Sequence, residues 1–416
     1  MNQSDYNTEF NYLIHVFTPN LPAEKTFVER GDINNKVVDA LQIPGRQLIV
    51  YGMNYVGKTT LIERCLARCT ENHIVTQCHL GMDFHAVLVN AFDSLERYYT
   101  SEKINAKSDG LGLNIKSEYI GIKTALDSYH RSEVTQRQER ILPLQLSAQN
   151  LIKFLGESNC CWVLDDFHKI EKEKREAIID IIKMFIDATP KFIETKMIII
   201  GAVSTAEDLL PSTTELSNRI SEVNVPLMTD LEIFEIMKKG EQLLNVQFAP
   251  AVKQFVVNIS SGLPIICHEL CLKICQAAEI RWTTDRLVMI GEEHFKSALK
   301  DFIESSIEDT KSRYFIATRD VRFKRYHHDQ LIIDALSCSD KKGLTKKEIL
   351  GKITESEPNY RIVYLKNHLR NLLNDEKGGL LKYDKITEKF QFEHPIKRAY
   401  SVANYFARKL KISLLV

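Results

Sequence analysis

No run of eighteen apolar residues occurs in this 416-residue chain, so no membrane-spanning helix is expected. The opening residues, Met1-Asn2-Gln3-Ser4-Asp5-Tyr6, lack the basic-then-apolar order of a secretion leader. The nine cysteines sit inside apolar helix or strand patterns, without the rhythm of a disulfide scaffold. Reduced thiols and a cytoplasmic location are the expectation. Net charge is missing too, with 55 Lys+Arg against 55 Asp+Glu. What remains is 44% apolar and 26% charged, the composition of a soluble globular protein. The length calls for two or three domains.

Against these absences stands one strong local pattern. Gly52-Met53-Asn54-Tyr55-Val56-Gly57-Lys58-Thr59 fits G-x-x-x-x-G-K-[ST]. Gln47–Tyr51 before it reads as a short buried strand, and the residues from Thr60 onward read as a helix. Glycines let successive backbone N–H groups close around phosphate oxygens, and the helix N-terminus adds a favourable dipole. This assigns Gly52, Asn54, Tyr55, Val56, Gly57, Lys58, Thr59 and Thr60 to nucleotide binding. Lys58 pairs with the β- and γ-phosphates, and the Thr59 hydroxyl holds Mg²⁺.

About a hundred residues on, the apolar run Cys160-Cys161-Trp162-Val163-Leu164 ends in Asp165-Asp166. Two carboxylates at the end of a buried strand are costly unless they meet a cation or water. Asp165 suits the outer-shell Mg²⁺ ligand, and Asp166 suits the residue that orients or deprotonates an attacking water. ATP or ADP with Mg²⁺ are the expected cofactors.

Strand candidates at 47–51, 73–78, 160–165 and 196–202 alternate with helical patterns, which predicts a parallel sheet covered on both faces. The expected organisation is an N-terminal entry segment (1–45), an α/β P-loop core (46–226), a helical lid (227–305), a linker (306–325) and a winged helix (326–416). Residues 99–145 break the rhythm and read as a hairpin-bearing insertion or mobile arm, with an alternating stretch at 111–122. In the lid, Cys267, Cys271 and Cys275 recur every four residues, which is core packing rather than metal spacing. In the winged helix, Thr345 with Glu348 predicts a capped helix. Ile362, Leu365, Leu369 and Leu372 predict the apolar stripe of the next helix, with Arg361, Lys366, His368, Arg370 and Asn371 facing away from it. From residue 305 onward there are 23 Lys+Arg and 14 Asp+Glu, leaving 32 and 41 in the rest. The basic end is therefore the candidate surface for an acidic partner, including nucleic acid, or else a surface that docks on the acidic ATPase body.

The order of these motifs resembles a known group. The glycine loop, Asp165-Asp166, the strand ending at Gly201-Ala202-Val203-Ser204, Arg219 before Val223-Asn224-Val225, Gly262-Leu263-Pro264 and a C-terminal winged helix follow one another. The chain is similar to the origin-recognition-initiator/STAND side of the AAA+ P-loop ATPases, and more narrowly to bacterial stand-alone members. The resemblance implies that Arg30-Gly31 lies where an entry motif touches adenine, in reversed order. It implies that Ser204 or Thr205 is a γ-phosphate sensor, and that Arg219 is a finger reaching a neighbour's nucleotide or a sensor within its own subunit. Pro264 would approach the base, and His268 is the polar residue nearest the place of a lid arginine. Aspartate at 166, where many fast relatives carry glutamate, implies slow hydrolysis.

The reading is an ATP-dependent molecular switch. Its nucleotide state controls homo-oligomer assembly and the engagement of a partner, with a defence or signalling effector as one case. The rival is an ATP-dependent DNA-binding regulator or loader of the replication or transposition type, with Arg361, Lys366 and Arg370 on DNA.

Overall fold

The structure is a computed structural model; it describes residues 10–69, 72–102, 146–210, 218–319 and 326–414. The chain divides into two compact units, Glu29–Pro226 and Met1–Val28 with Leu227–Val416. The first boundary therefore falls after residue 28, not 45. The helix Gly31–Gln42, within the segment read as the entry, belongs to the α/β unit.

The Glu29–Pro226 unit is built from α1 (Gly31–Gln42), β1 (Gln47–Tyr51), α2 (Lys58–Cys69), β2 (Asn72–Gln77), α3 (Phe84–Glu102), α4 (Ala148–Glu157), β3 (Cys160–Asp165), α5 (Glu176–Ala188), β4 (Met197–Gly201) and β5 (Ile220–Asn224). All five strands are parallel, in the order β2-β3-β4-β1-β5. Strands covered on both faces carry continuous apolar runs. Accordingly Cys160–Asp165 and Met197–Gly201 are buried at every position. Trp162, wholly buried, keeps its indole N–H satisfied at Thr76 Oγ1, 2.9 Å away. The apolar faces of α3, α4 and α5 complete the core on one side of the sheet, with Phe92, Phe154 and Phe185 among its largest members. The alternating stretch at 111–122, expected as a hairpin, lies outside the described residues.

The other unit holds α6 (Asp230–Leu244), β6 (Val246–Phe248), α7 (Pro250–Ser260), α8 (Pro264–Ala277), β7 (Val288–Ile290), α9 (Glu292–Ser305) and α10 (Glu308–Thr318). It continues through α11 (His328–Ser337), β8 (Leu344–Thr345), α12 (Lys346–Ser356), α13 (Ile362–Leu373), β9 (Leu381–Asp384), β10 (Lys389–Phe392) and α14 (Pro395–Lys409). Thr229 with Glu232 and Thr345 with Glu348 form reciprocal capping boxes, so both helix starts lie where the side chains offer acceptors. Phe17 lies against Gly240, where a Cβ would fall 2.2 Å from the ring; only glycine permits that approach. Cys267, Cys271 and Cys275 are fully buried in the core. No cluster among the described residues is arranged to hold a metal, and no described helix is long and apolar enough to cross a membrane.

Three expectations change here. The stretch expected as a linker contains α10, whose Tyr314 and Ala317 are buried. Ile362 is 46% exposed while Leu365, Leu369 and Leu372 are buried; Tyr360, just before α13, is buried with its ring against His328 and Tyr364. His368 turns inward, with Nδ1 2.8 Å from Asp329 Oδ1 and its ring stacked on His328. Elements α11, α12 and α13 are followed by the β9–β10 hairpin. Strand β8 joins the hairpin to make a three-stranded antiparallel sheet, and α14 closes the chain.

Buried Arg398 fastens this region to the turn before α8. Its guanidinium donates to Ser261 Oγ (2.8 Å) and Asn258 O on one side and to Ser339 O (2.7 Å) on the other. Lys341 adds a second tie, to Asp230 Oδ1 and Met228 O.

Burial on α13 sets the first expectation. Leu369→Ala lowers unfolding stability by about 2–5 kcal/mol, whereas Ile362→Ala stays within about 0.5 kcal/mol. Urea titrations followed by far-UV circular dichroism measure both, and equal losses would return Ile362 to the stripe.

Candidate nucleotide site

The carboxyl ends of β1, β3 and β4 meet at one edge of the sheet. In open α/β sheets, ligands bind in the crevice outside these ends. After β1 the chain turns through Gly52, with φ 148°. A Cβ there would fall 2.3 Å from Val225 O, so the loop lies against the segment after β5 in a way no other residue allows. Tyr55 and Gly57 are left-handed, at φ 66° and 88°, which folds the loop back onto the start of α2.

Lys58 is the first residue of α2 and is buried. Its ammonium donates to Gly52 O (3.1 Å) and Met53 O (2.7 Å). Burial pulls its pKa down to about 8, against the pull of Asp165 and Asp166. The Thr59 hydroxyl donates to Asp165 Oδ2 at 2.8 Å, joining the ends of two strands that β4 separates. A threonine hydroxyl and a carboxylate side by side are the hard oxygen donors that Mg²⁺ prefers, so the donor set fits that ion.

Asp166 stands in the left-handed region at φ 55°, ψ 30°, and its N–H donates to Asp165 Oδ1 at 2.8 Å. Such a conformation at a non-glycine residue persists only where its surroundings hold it. Here Lys169 Nζ (2.5 Å) and Gln77 Nε2 (3.0 Å) both donate to Asp166 Oδ2. The hydrogen bond to Asp166 raises the pKa of Lys169. Neither Gln77, at the end of β2, nor Lys169 was picked out by sequence. The signal for Gln77 would have been a polar residue ending the strand beside β3.

A second missed pair lies just behind. His168 Nδ1 accepts from Ala202 N–H at 3.1 Å and lies 4.0 Å from Asp166 Oδ1. Burial lowers its pKa, so the neutral ring is favoured. Buried Arg175 donates to His168 O, Ile170 O, Asp208 O and Leu209 O, at 2.6 to 3.3 Å. Burial lowers its pKa as well.

The remaining predicted residues fall in different places. Ser204 is exposed just past β4. The Thr205 side chain caps the short 206–208 turn through Asp208 Oδ2, 3.0 Å away. Arg30 is buried; its backbone N–H donates to Asn34 Oδ1, and its guanidinium donates to Pro226 O at 2.9 Å. Arg219 is exposed at the start of β5, beside Gln47 at the start of β1. A five-residue strand at about 3.3 Å per residue sets it about 16 Å from the glycine-loop edge. Pro264 is the first residue of α8, in the other unit. His268 is buried there with Nδ1 accepting from Thr18 N–H, and burial lowers its pKa to about 4. It is therefore a core acceptor, not a stand-in for a lid arginine.

No protein-family model matches the chain, and no curated protein matches it. Among solved structures, the chain is similar to the Walker-type ATPase PABY2304 of Pyrococcus abyssi. The identity is 14%, with 90% of this chain and 96% of that one covered, and the TM-score is 0.51. It is also similar to the ORC2 protein of Aeropyrum pernix, solved in ADPNP–ADP complexes (13% identity, 95% and 98% covered, TM-score 0.49). A third is Cdc6p from Pyrobaculum aerophilum (13%, 95% and 98%, TM-score 0.45). At this identity the first likeness is one of fold: the α/β unit has the parallel-sheet fold of a P-loop NTPase.

The buried ammonium yields a prediction with a definite sign. Between pH 8 and the ordinary 10.5, the unfolded chain binds Lys58's proton better than the folded one, so wild-type stability rises with pH across that window. Below it, burial of the charge costs about 3 kcal/mol. Lys58→Met accordingly melts higher than wild type at pH 7, and the gap narrows as pH climbs from 8 toward 10. A pH-independent gap in thermal melts would show that the ammonium is not destabilised.

Proposed function

We propose that this chain is an ATP-binding, slowly hydrolysing molecular switch of the AAA+/STAND kind. The observation that carries the reading is the Thr59–Asp165 hydrogen bond at the mouth of the glycine loop. Two motifs about a hundred residues apart bring their oxygens together where a nucleotide's metal would be held.

In this reading Gly52 to Thr60 cradle the phosphates, and one of the three Lys58 donors remains for a phosphate oxygen. Thr59 and Asp165 would hold Mg²⁺, which when bound neutralises developing phosphate charge. Asp166 orients the attacking water through Oδ1, while Lys169 and Gln77 hold its Oδ2. An acid one methylene shorter than glutamate supports slow turnover. Ser204 is the sensor candidate, since Thr205 is engaged in its own turn. Arg219, at the opposite end of β5, favours the finger role toward a second subunit over a sensor role within its own. Arg30 is given to holding Pro226 and supports placement of the entry segment.

For the partner, we read α11 to α13 with the β9–β10 hairpin as a winged helix. Val363 (74% exposed), Ile362 and Tyr364 share the exposed surface of α13 with Lys366 and Arg370. A mixed apolar and basic face favours a protein effector; the basic residues keep DNA as the second reading.

Two measurements test this. Lys58→Ala is expected to lose binding of fluorescent ATP at least tenfold and, by light scattering, any assembly that a slowly hydrolysed ATP analogue induces. Undiminished binding would overturn the reading. Arg219→Ala and Lys58→Ala, each inactive alone, are expected to recover part of the ATPase rate when mixed, because one supplies the loop and the other the finger. Inactivity of the mixture beside an active wild type would overturn the finger role, and wild-type activity of Arg219→Ala alone would place Arg219 outside hydrolysis.

A further inference from the structure

We infer that His168 is a positioning residue for Asp166, coupling the turn after β3 to the turn after β4 through the lone pair of its Nδ1; this rests on the ATPase reading above. His168 sits in the one-turn helix Phe167–Lys169 that follows the left-handed Asp166. That turn sends its ring toward β4, where Nδ1 accepts from Ala202 N–H at 3.1 Å. The donor belongs to the first residue past β4, two residues before the sensor candidate Ser204. The same Nδ1 lies 4.0 Å from Asp166 Oδ1.

With its lone pair engaged by Ala202, Nδ1 carries no proton, and the ring proton resides on Nε2. The ring therefore approaches the carboxylate without donating to it from Nδ1. It acts as a wall and a tether, not as a proton source. Buried Arg175 reinforces the tether from behind. One guanidinium nitrogen takes His168 O at 2.8 Å, and another takes Asp208 O at 2.6 Å and Leu209 O at 3.3 Å. Two independent devices thus tie the same two turns. The guanidinium joins backbone to backbone. The imidazole alone joins the neighbourhood of the carboxylate to the residues leading to Ser204. A displacement at the end of β4 is carried by the ring to Asp166, and a 1 Å displacement of a reacting group can cost on the order of a hundredfold in rate.

The distinguishing requirement is an acceptor at the position of Nδ1. Asparagine places its amide oxygen near that position; leucine fills similar space without an acceptor. The test uses the full chain. ATP turnover and fluorescent-ATP affinity are measured for wild type, His168→Asn, His168→Leu and Lys58→Ala, with thermal melts alongside. The expected result is His168→Leu with kcat lowered at least tenfold and nucleotide Kd within about twofold of wild type. His168→Asn is expected to recover to within about threefold of wild-type kcat. Equal kcat for wild type and His168→Leu, or equal loss in both substitutions with nucleotide binding intact, would overturn the inference while leaving the ATPase reading standing. If wild type itself matches Lys58→Ala in turnover and binding, the ATPase reading fails, and the inference with it. Should His168→Leu fail to fold, Ala202→Pro removes the donor instead of the acceptor. It is expected to reproduce the kcat loss with binding retained, and wild-type turnover in it would equally overturn the inference.

Discussion

The 2.8 Å contact between the Thr59 hydroxyl and Asp165 is the constraint to which the rest of the α/β unit answers. It requires β1 and β3 to end at the same level although β4 lies between them. That level is kept by the parallel register of three buried strands, so the apolar runs act as a ruler for two polar atoms. It also requires the glycine loop to turn sharply at Gly52, and that turn is open only because no Cβ stands between the loop and Val225 O. Sheet order, strand length and one missing methyl group all converge on a single hydrogen bond.

Buried cations in this protein share a habit. Lys58 binds the carbonyls of its own loop, Arg175 binds four carbonyls, Arg30 binds Pro226 O, Lys196 binds Ile43 O, and Arg398 binds two carbonyls and a hydroxyl. Carbonyl dipoles offset part of the desolvation without bringing in a second buried charge. Consistent with incomplete compensation, burial pulls the pKa of Lys58 and Arg398 down, to about 8 and about 10. A carbonyl is also fixed to the backbone, so each such cation is a fastener between segments of main chain.

Periodicity and motif spacing were enough to read four of the five strands, the glycine loop and the two aspartates, because each is a local pattern. Strand β5 was seen only as a flank of Arg219; its Ile220-Ser221-Glu222-Val223-Asn224 is half exposed and lacks the continuous apolar run of a central strand. Gln77, His168, Lys169 and Arg175 were missed because their roles depend on which turns the sheet order brings together. Nothing in the sequence near residue 168 names Ala202. His368 misled for the opposite reason: helical phase placed it outward, but a carboxylate on a neighbouring helix supplied an inward partner.

The ties made by Arg398 have a mechanical meaning. Its guanidinium grips the turn that leads into Gly262-Leu263-Pro264 with one nitrogen and Ser339, at the end of α11, with another. Both grips end on main chain or on a buried hydroxyl, so neither can swing on a flexible side chain. Lys341 makes a second anchorage from the same loop to the start of α6. A hinge needs one point of attachment; two make a bracket. The turn before α8 and the C-terminal helices therefore form one lever arm. A tilt of that turn is passed directly to α14, which carries Arg398, and to the residues just past α11.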